Sequence, residues 1–309
     1  MDAIVADNLT KTYPGKTALK NFNLSISPNT IHGFLGPNGA GKSTTMNILS
    51  GLIKQTEGKA YIMGKETLEN SFFVRRNLGF LPEIPPLYGD MTVKDFLLFR
   101  ARLYFTSKPK AKGQVDKALE KMNLKEVERR LIDHLSKGFK QRVGMASALI
   151  FDPPVLILDE PAVGLDPKSI VEIRKLISDL REGHTVMFSS HHLGEVEQLC
   201  DEITVIRDGR LVLSDSYGRV KKRFAQKKPF EILVKGEDQV LAKALDGYGD
   251  YRIVRQEDQK KTIVISPSQE EELAPRLCRR LVENGVDIFE MKRGETDLEE
   301  IFIDLMEKQ

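Results

Sequence analysis

Two cysteines in 309 residues, Cys200 and Cys278, supply neither a disulfide framework nor a thiolate metal site, and fit a reducing compartment. No excess of either charge is present: 47 lysines and arginines stand against 45 aspartates and glutamates, a net +2. Nothing global therefore argues for nucleic acid as a partner. Apolar runs stop at about five residues, whereas crossing a bilayer takes about eighteen or more. A role at a membrane would need another chain to cross it. The opening Met1-Asp2-Ala3-Ile4-Val5-Ala6-Asp7 has no basic start and no long apolar core, so no signal peptide is expected. The length suits one large α/β domain plus a smaller one.

Against this plain background stands Gly36-Pro37-Asn38-Gly39-Ala40-Gly41-Lys42-Ser43-Thr44. A mostly apolar run, Ile31 to Leu35, reads as the buried strand before it, and Thr44 to Leu49 as the helix after it. That is the setting a phosphate-binding loop requires. Three glycines let the backbone curl so that successive N–H groups point at phosphate oxygens, with the positive end of a helix behind them. Lys42 reaches the β- and γ-phosphates, and the Ser43 hydroxyl can complete an octahedral Mg²⁺. The spacing arises by accident in roughly one chain in a hundred of this size. Alone, the loop does not separate a kinase, a GTPase, a motor or a transporter ATPase.

Upstream, Ile4-Val5-Ala6 and Phe22 to Ile26 flank a Pro14-Gly15 turn and read as a small antiparallel sheet. Tyr13, beside that turn, is either a half-buried strand residue or an exposed ring able to stack on a flat base. Downstream, Lys59 to Gly64 and Leu78 to Glu83 read as strands. Residues 92 to 134 have helical periodicity, with Phe96, Phe99, Leu103, Leu119, Met122 and Leu131 as candidate core. Ser136 precedes a helix over Val143 to Ile150, and is either an ordinary N-cap or part of an anion site. Pro154 to Pro161 then places Asp159 and Glu160 at the tip of an apolar strand. In a triphosphate site Asp159 would orient Mg²⁺ and its waters, and Glu160 would polarise the attacking water. A helix over Ile170 to Leu180, a strand Thr185 to Phe188 delivering Ser189-Ser190-His191-His192, and a closing hairpin through Asp208-Gly209 complete a parallel, helix-flanked sheet.

These pieces, in this order, resemble the nucleotide-binding subunit of an ABC transporter over residues 1 to about 215. Gly36 to Thr44 matches its phosphate loop, Tyr13 the aromatic that stacks on adenine, Leu135 to Phe139 its signature, and Val155 to Glu160 its second Walker motif. Gly164-Leu165-Asp166 matches the loop facing the other subunit, and His191, chosen over His192 because it directly follows the strand and Ser-Ser, the switch histidine. No Asn-Lys-x-Asp motif of a GTPase is present. The resemblance implies a P-loop ATPase fold with an antiparallel β subdomain and a helical subdomain at about 90–150. Its cofactors are ATP and Mg²⁺, the ion held by Ser43, Glu83 and Asp159. It also implies that Glu160, His191 and Lys42 carry hydrolysis. Ser136, Gly138 and Asp166 of one subunit complete the site of another, so that two close over two ATP molecules. Three departures stand out: Glu83 replaces the usual glutamine, Lys137 the first glycine of the signature, and Phe139 its glutamine.

From about residue 216 the composition changes. A basic run from Arg219 to Lys228, over a linker at 216–229, reads as a solvated linker helix, or as a segment lying near anionic lipid. Residues 230–309 then follow the order β-α-β-β-α-β of a ferredoxin-like unit, with a last helix over Asp297 to Met306. This α+β appendix is assigned to regulation or dimer contact. Together with Leu135-Ser136-Lys137-Gly138 and Leu298-Glu299-Glu300-Ile301-Phe302, it is similar to ATPases of the ABC-2 exporter class, which serve drug, sodium-export and gliding-motility systems. The expected partners are transmembrane permease subunits and a second ATP-binding subunit, at the cytoplasmic face of the cell membrane, with no nucleic acid. The alternative is a soluble ABC ATPase acting on a ribosome or nucleic-acid complex.

Overall fold

The computed structural model describes residues 1–190, 193–225, 229–248, 251–257, 260–265, 273–293 and 301–302. The chain divides into two units, Met1–Tyr217 and Gly218–Gln309. In the first, β1 (Ile4–Tyr13) and β2 (Lys16–Ile26) form a hairpin across Pro14-Gly15. With β4 (Glu57–Ile62) and β5 (Lys65–Glu66) they make a four-stranded antiparallel sheet. The predicted strand at 31–35 is β3 (Ile31–Leu35), and its helix α1 (Lys42–Leu49) begins two residues earlier than the periodicity suggested. Lys42 and Ser43 thus sit in the first helical turn.

A second sheet has the order β10-β9-β3-β8-β7-β6, formed by β6 (Leu78–Leu81), β7 (Val155–Leu158), β8 (Thr185–Ser190), β9 (Glu202–Arg207) and β10 (Arg210–Ser216) around β3. All neighbours are parallel except β10 on β9. β3, β7 and β8 are buried at every position, as apolar strands covered on both faces must be. The hairpin over 204–213 is part of this sheet, because β9 lies directly beside β3. Between the sheets Phe22 and Phe34 meet at 5.9 Å in a core that also takes Met46, Ile157 and Met187.

The helical insertion comprises α2 (Ser71–Asn77), ahead of β6, then α3 (Val93–Arg102), α4 (Lys108–Lys121) and α5 (Lys137–Leu149). Thr92 caps α3 by accepting from Asp95 N–H. Phe96, Leu119 and Met122 are buried as expected, but Phe99, Leu103 and Leu131 are exposed. The reason lies in helix geometry. α3 turns Val93, Phe96, Leu97 and Ala101 inward, which leaves Phe99 at the edge of that face and Leu103 at the helix's C-cap. After β7, α6 (Pro167–Asp179) buries Ile173, Leu176 and Ile177, and α7 (Leu193–Leu199) precedes β9. α8 (Tyr217–Ala225) carries the start of the basic run.

The second unit contains β11 (Phe230–Lys235), α9 (Asp238–Leu245), β12 (Tyr251–Glu257), β13 (Lys260–Ile265), α10 (Leu273–Glu283) and β14 (Asp287–Arg293). Its antiparallel sheet runs β12-β13-β11-β14, the strand order that the split β-α-β unit generates. Phe230, Ile232, Val234, Ile263 and Ile265 pack with Leu241, Leu245, Leu277 and Leu281 from the two helices. The helix expected over 297–306 lies outside the described residues except at 301–302.

One buried titratable group stands on the strand that leads into the phosphate loop. His32 on β3 places Nδ1 3.3 Å from Glu202 Oε2 and Nε2 2.8 Å from Thr204 Oγ1. Burial pushes its imidazole below the ordinary value, with the Glu202 contacts pulling partly back. The hydrogen bond to His32 holds the Glu202 carboxyl low. In the unfolded chain the histidine takes a proton near pH 6.5, and in the fold only at lower pH. The unfolded state therefore binds more protons below that point, and stability falls as pH drops through it. Guanidinium unfolding followed by circular dichroism between about pH 5 and 7 should show this slope, and His32→Gln should flatten it.

Candidate functional site

β3 ends at Leu35, and the chain must turn back over its own tip to start α1. Gly39 and Gly41 make that turn with φ of 78° and 111°. A β-carbon at Gly41 would lie 2.8 Å from Ala18 O, so only glycine fits between the loop and β2. The loop is tied by Ala40 N–H to Pro37 O (3.2 Å) and by Gly209 N–H to Ala40 O (2.9 Å), the latter from the β9–β10 turn. Thr45, through both N–H and hydroxyl, donates to Gly41 O at 2.9 Å.

Lys42 is buried. Its Nζ donates to Gly36 O at 2.7 Å and Pro37 O at 3.4 Å, and stands 3.6 Å from Glu160 Oε1. The two charges stand beyond the ends of strands β3 and β7, which flank β8. That middle strand supplies the joint: Ser189 Oγ donates to Asp159 Oδ1 at 2.7 Å and accepts from Glu160 N–H at 2.8 Å. Glu160 itself occupies the left-handed region, with φ of 47°. Asp159 N–H donates to Leu81 O (2.8 Å), locking the tip of β7 to that of β6.

A cleft of about 650 Å³ opens over the loop. Of the residues singled out in the sequence, Tyr13, Asn38, Gly39, Gly41, Lys42, Ser43, Thr44, Glu83 and Glu160 line it. Gly36, Ala40 and Asp159 are not among its lining residues, and Asp159 is held by Ser189. Tyr13 is 40% exposed, and Lys11 Nζ lies over one face of its ring, 4.9 Å from the centroid. Lys16, Ala18 and Val163 also line the cleft. Sequence reasoning missed Lys16 and Ser189. Lys16 follows the Pro14-Gly15 turn opposite Tyr13, a signal that was available. Ser189 acts across strands, and local spacing carried no sign of it.

Ser136, Gly138 and Asp166 are not among the residues lining this cleft. They form a second group, at the adjacent starts of α5 and α6. Ser136 Oγ caps α5 by accepting from Phe139 N–H at 3.4 Å. Asp166 caps α6, accepting from Ser169 N–H (3.0 Å) and Ser169 Oγ (2.6 Å), and these bonds hold its carboxyl below the ordinary range. A β-carbon at Gly138 would meet Ser169 Oγ at 2.7 Å, so glycine lets the two helix starts touch. His191 lies outside the described residues.

The family model described as ABC transporter matches residues 19–163. The bacitracin transport ATP-binding protein BcrA of Bacillus licheniformis is 34% identical over 98% of this chain and 97% of its own length. The linearmycin resistance ATP-binding protein LnrL of Bacillus subtilis (strain 168) is 30% identical over 97% of each. The lantibiotic transport ATP-binding protein SrtF of Streptococcus pyogenes is 39% identical over 68% of this chain and 89% of its own. Among solved structures, the dimeric MJ0796 ABC transporter cassette superposes with a TM-score of 0.63 at 29% identity. That match covers 69% of this chain and 98% of the cassette.

Ser189→Ala should leave ATP affinity within about threefold while cutting turnover about tenfold or more, because it frees both the Asp159 carboxylate and the Glu160 backbone from their shared anchor. Nucleotide titration and phosphate release on the same preparation would check it; equal effects on both quantities would make Ser189 a folding residue only.

Proposed function

The chain belongs to the ABC transporter family as an ATP-binding subunit, and from that premise we propose how its residues divide the work of ATP hydrolysis that powers transport. The loop from Gly36 to Thr44 wraps the phosphates with backbone N–H groups, and Tyr13 stacks on the adenine. Lys42 exchanges Gly36 O and Glu160 for phosphate oxygens. That exchange leaves the Glu160 carboxylate to take a hydrogen bond from the attacking water and polarise it. His191 is assigned to the same water or the γ-phosphate.

The donor set suits Mg²⁺: Ser43 and Glu83 line one cleft, and Asp159 has one carboxylate oxygen engaged by Ser189. Hard oxygen donors of this kind are what the ion takes from protein when phosphates and water fill its remaining positions. When bound, it would offset phosphate charge. Ser43, Glu83 and Asp159 would hold it.

The observation that carries the reading is the separation of Ser136, Gly138 and Asp166 from the residues of the cleft. A signature that does not line its own cleft is free to complete another copy's, and the dimeric cassette among the solved relatives supports that reading. Closure of two copies would exclude water and add donors for the terminal phosphate. Among the described residues no helix is long and apolar enough to cross a membrane. Relatives named as transport ATP-binding proteins support the reading that separate permease subunits carry the cargo, with this chain at the cytoplasmic face. Ile84 (82% exposed), beside Glu83, and Phe72 (69%) on α2 offer them apolar contact. Relatives named for bacitracin transport, linearmycin resistance and lantibiotic transport support an ABC-2 exporter over a ribosome- or nucleic-acid-acting ATPase. The unit from 230 on is assigned to regulation or dimer contact, and 216–229 to the linker.

Glu160→Gln should retain ATP binding, lose about 10²-fold or more in turnover, and accumulate an ATP-dependent dimer visible by light scattering. Unchanged turnover would remove Glu160 from the role given to it. Glu83→Gln should raise the magnesium concentration for half-maximal ATP-dependent dimerisation several-fold, since a neutral amide replaces a charged ligand. An unaltered magnesium dependence would take Glu83 out of the metal site.

A further inference from the structure

We propose that Lys137 is a trans-acting cation of the composite site: its ammonium is neutralised by the terminal phosphate of the ATP held in the other copy's phosphate loop. This rests on the two-copy reading above and adds a charged residue where the family's usual glycine has none to offer.

Lys137 opens α5, and no acid lies in that helix's first turn. A cation there faces the positive end of its own helix, the least favourable terminus for it. Its basic neighbours are compensated. Lys140 Nζ lies 3.8 Å from Asp133 and Arg142 donates to Glu172 at 2.6 Å. Lys137 is exposed, and among the described residues its side chain has neither an ion pair nor a hydrogen bond. The nearby carboxylate at the start of α6, Asp166, is already committed to Ser169 through both oxygens.

Where the ammonium rests is equally specific. It lies against Gly164, where a β-carbon would collide with Nζ. Gly164 has φ of 64°, which favours glycine for the backbone as well. Its neighbour Val163 lines the ATP cleft. An uncompensated cation thus sits between the starts of α5 and α6, beside Ser136 and Gly138, on the face offered to the partner's nucleotide. A γ-phosphate supplies the charge that its own chain withholds. ADP lacks that group, so Lys137 would contribute to closing on ATP and not on ADP.

The test uses the full chain carrying Glu160→Gln, so that hydrolysis does not blur assembly. Adding Lys137→Met should raise the ATP concentration for half-maximal dimerisation about tenfold, the scale of one charge-assisted contact to phosphate, and flatten its salt dependence. Lys137→Arg should restore both. Binding of a fluorescent ATP analogue to the dilute monomer should stay within about twofold, because the residue lies outside the chain's own cleft. A merely structural lysine at a helix start would move the melting temperature and not the salt slope. If the Glu160→Gln parent dimerises with ATP and Lys137→Met matches it in ATP and salt dependence, the assignment falls while the composite site stands. If the parent does not dimerise at any ATP concentration, the composite site falls and this assignment with it.

Discussion

A lysine ammonium buried at the positive end of its own helix is the constraint on which the first unit depends. Lys42 has almost no access to water, and its charge opposes the α1 dipole. It is tolerable only because the loop bends far enough for Gly36 and Pro37 to turn their carbonyls onto Nζ, and because Glu160 comes within 3.6 Å. The first condition demands left-handed glycines and a close approach to β2. The second demands that β7 lie one strand away from β3, with β8 between them. Loop conformation and strand order are thus two solutions to one electrostatic problem. A phosphate, with its own negative charge, can displace both partners.

The same placement explains why Ser189 matters. Being on the intervening strand, it is the residue able to touch both carboxylate-bearing positions at the tip of β7. One hydroxyl donates once and accepts once, and so fixes Asp159 by its side chain and Glu160 by its backbone. The two positions proposed for metal and water are therefore anchored by one neutral group, without another charge to bury.

Much of this was legible in the residues, and the limit follows sequence distance. The phosphate loop, the strand before it and the Asp159–Glu160 pair are local patterns, set by backbone curl and period, and were readable directly. So was the β-α-β-β-α-β order of the second unit, because each of its strands alternates against two helices. What escaped were contacts between segments far apart. Ser189 acts across about thirty residues, and Gly138 meets Ser169 only after the sheet has brought α5 and α6 together. Apolar side chains misled where partners decide burial: Phe99 fits the helical period of α3 but lies beside Tyr88, at 5.8 Å, and stays exposed. The hairpin through Asp208-Gly209 was recognised over 204–213, whereas the parallel contact of β9 with β3 was hidden, since it pairs strands separated by nearly the whole unit.

The backbone at Glu160 has a consequence for how this protein can drift. Its left-handed conformation suits asparagine or glycine better than glutamate. Random substitution to either would relax the local chain while abolishing the chemistry assigned there. Persistence of glutamate at that spot, generation after generation, would therefore report selection for turnover itself, because thermal robustness alone pulls the other way.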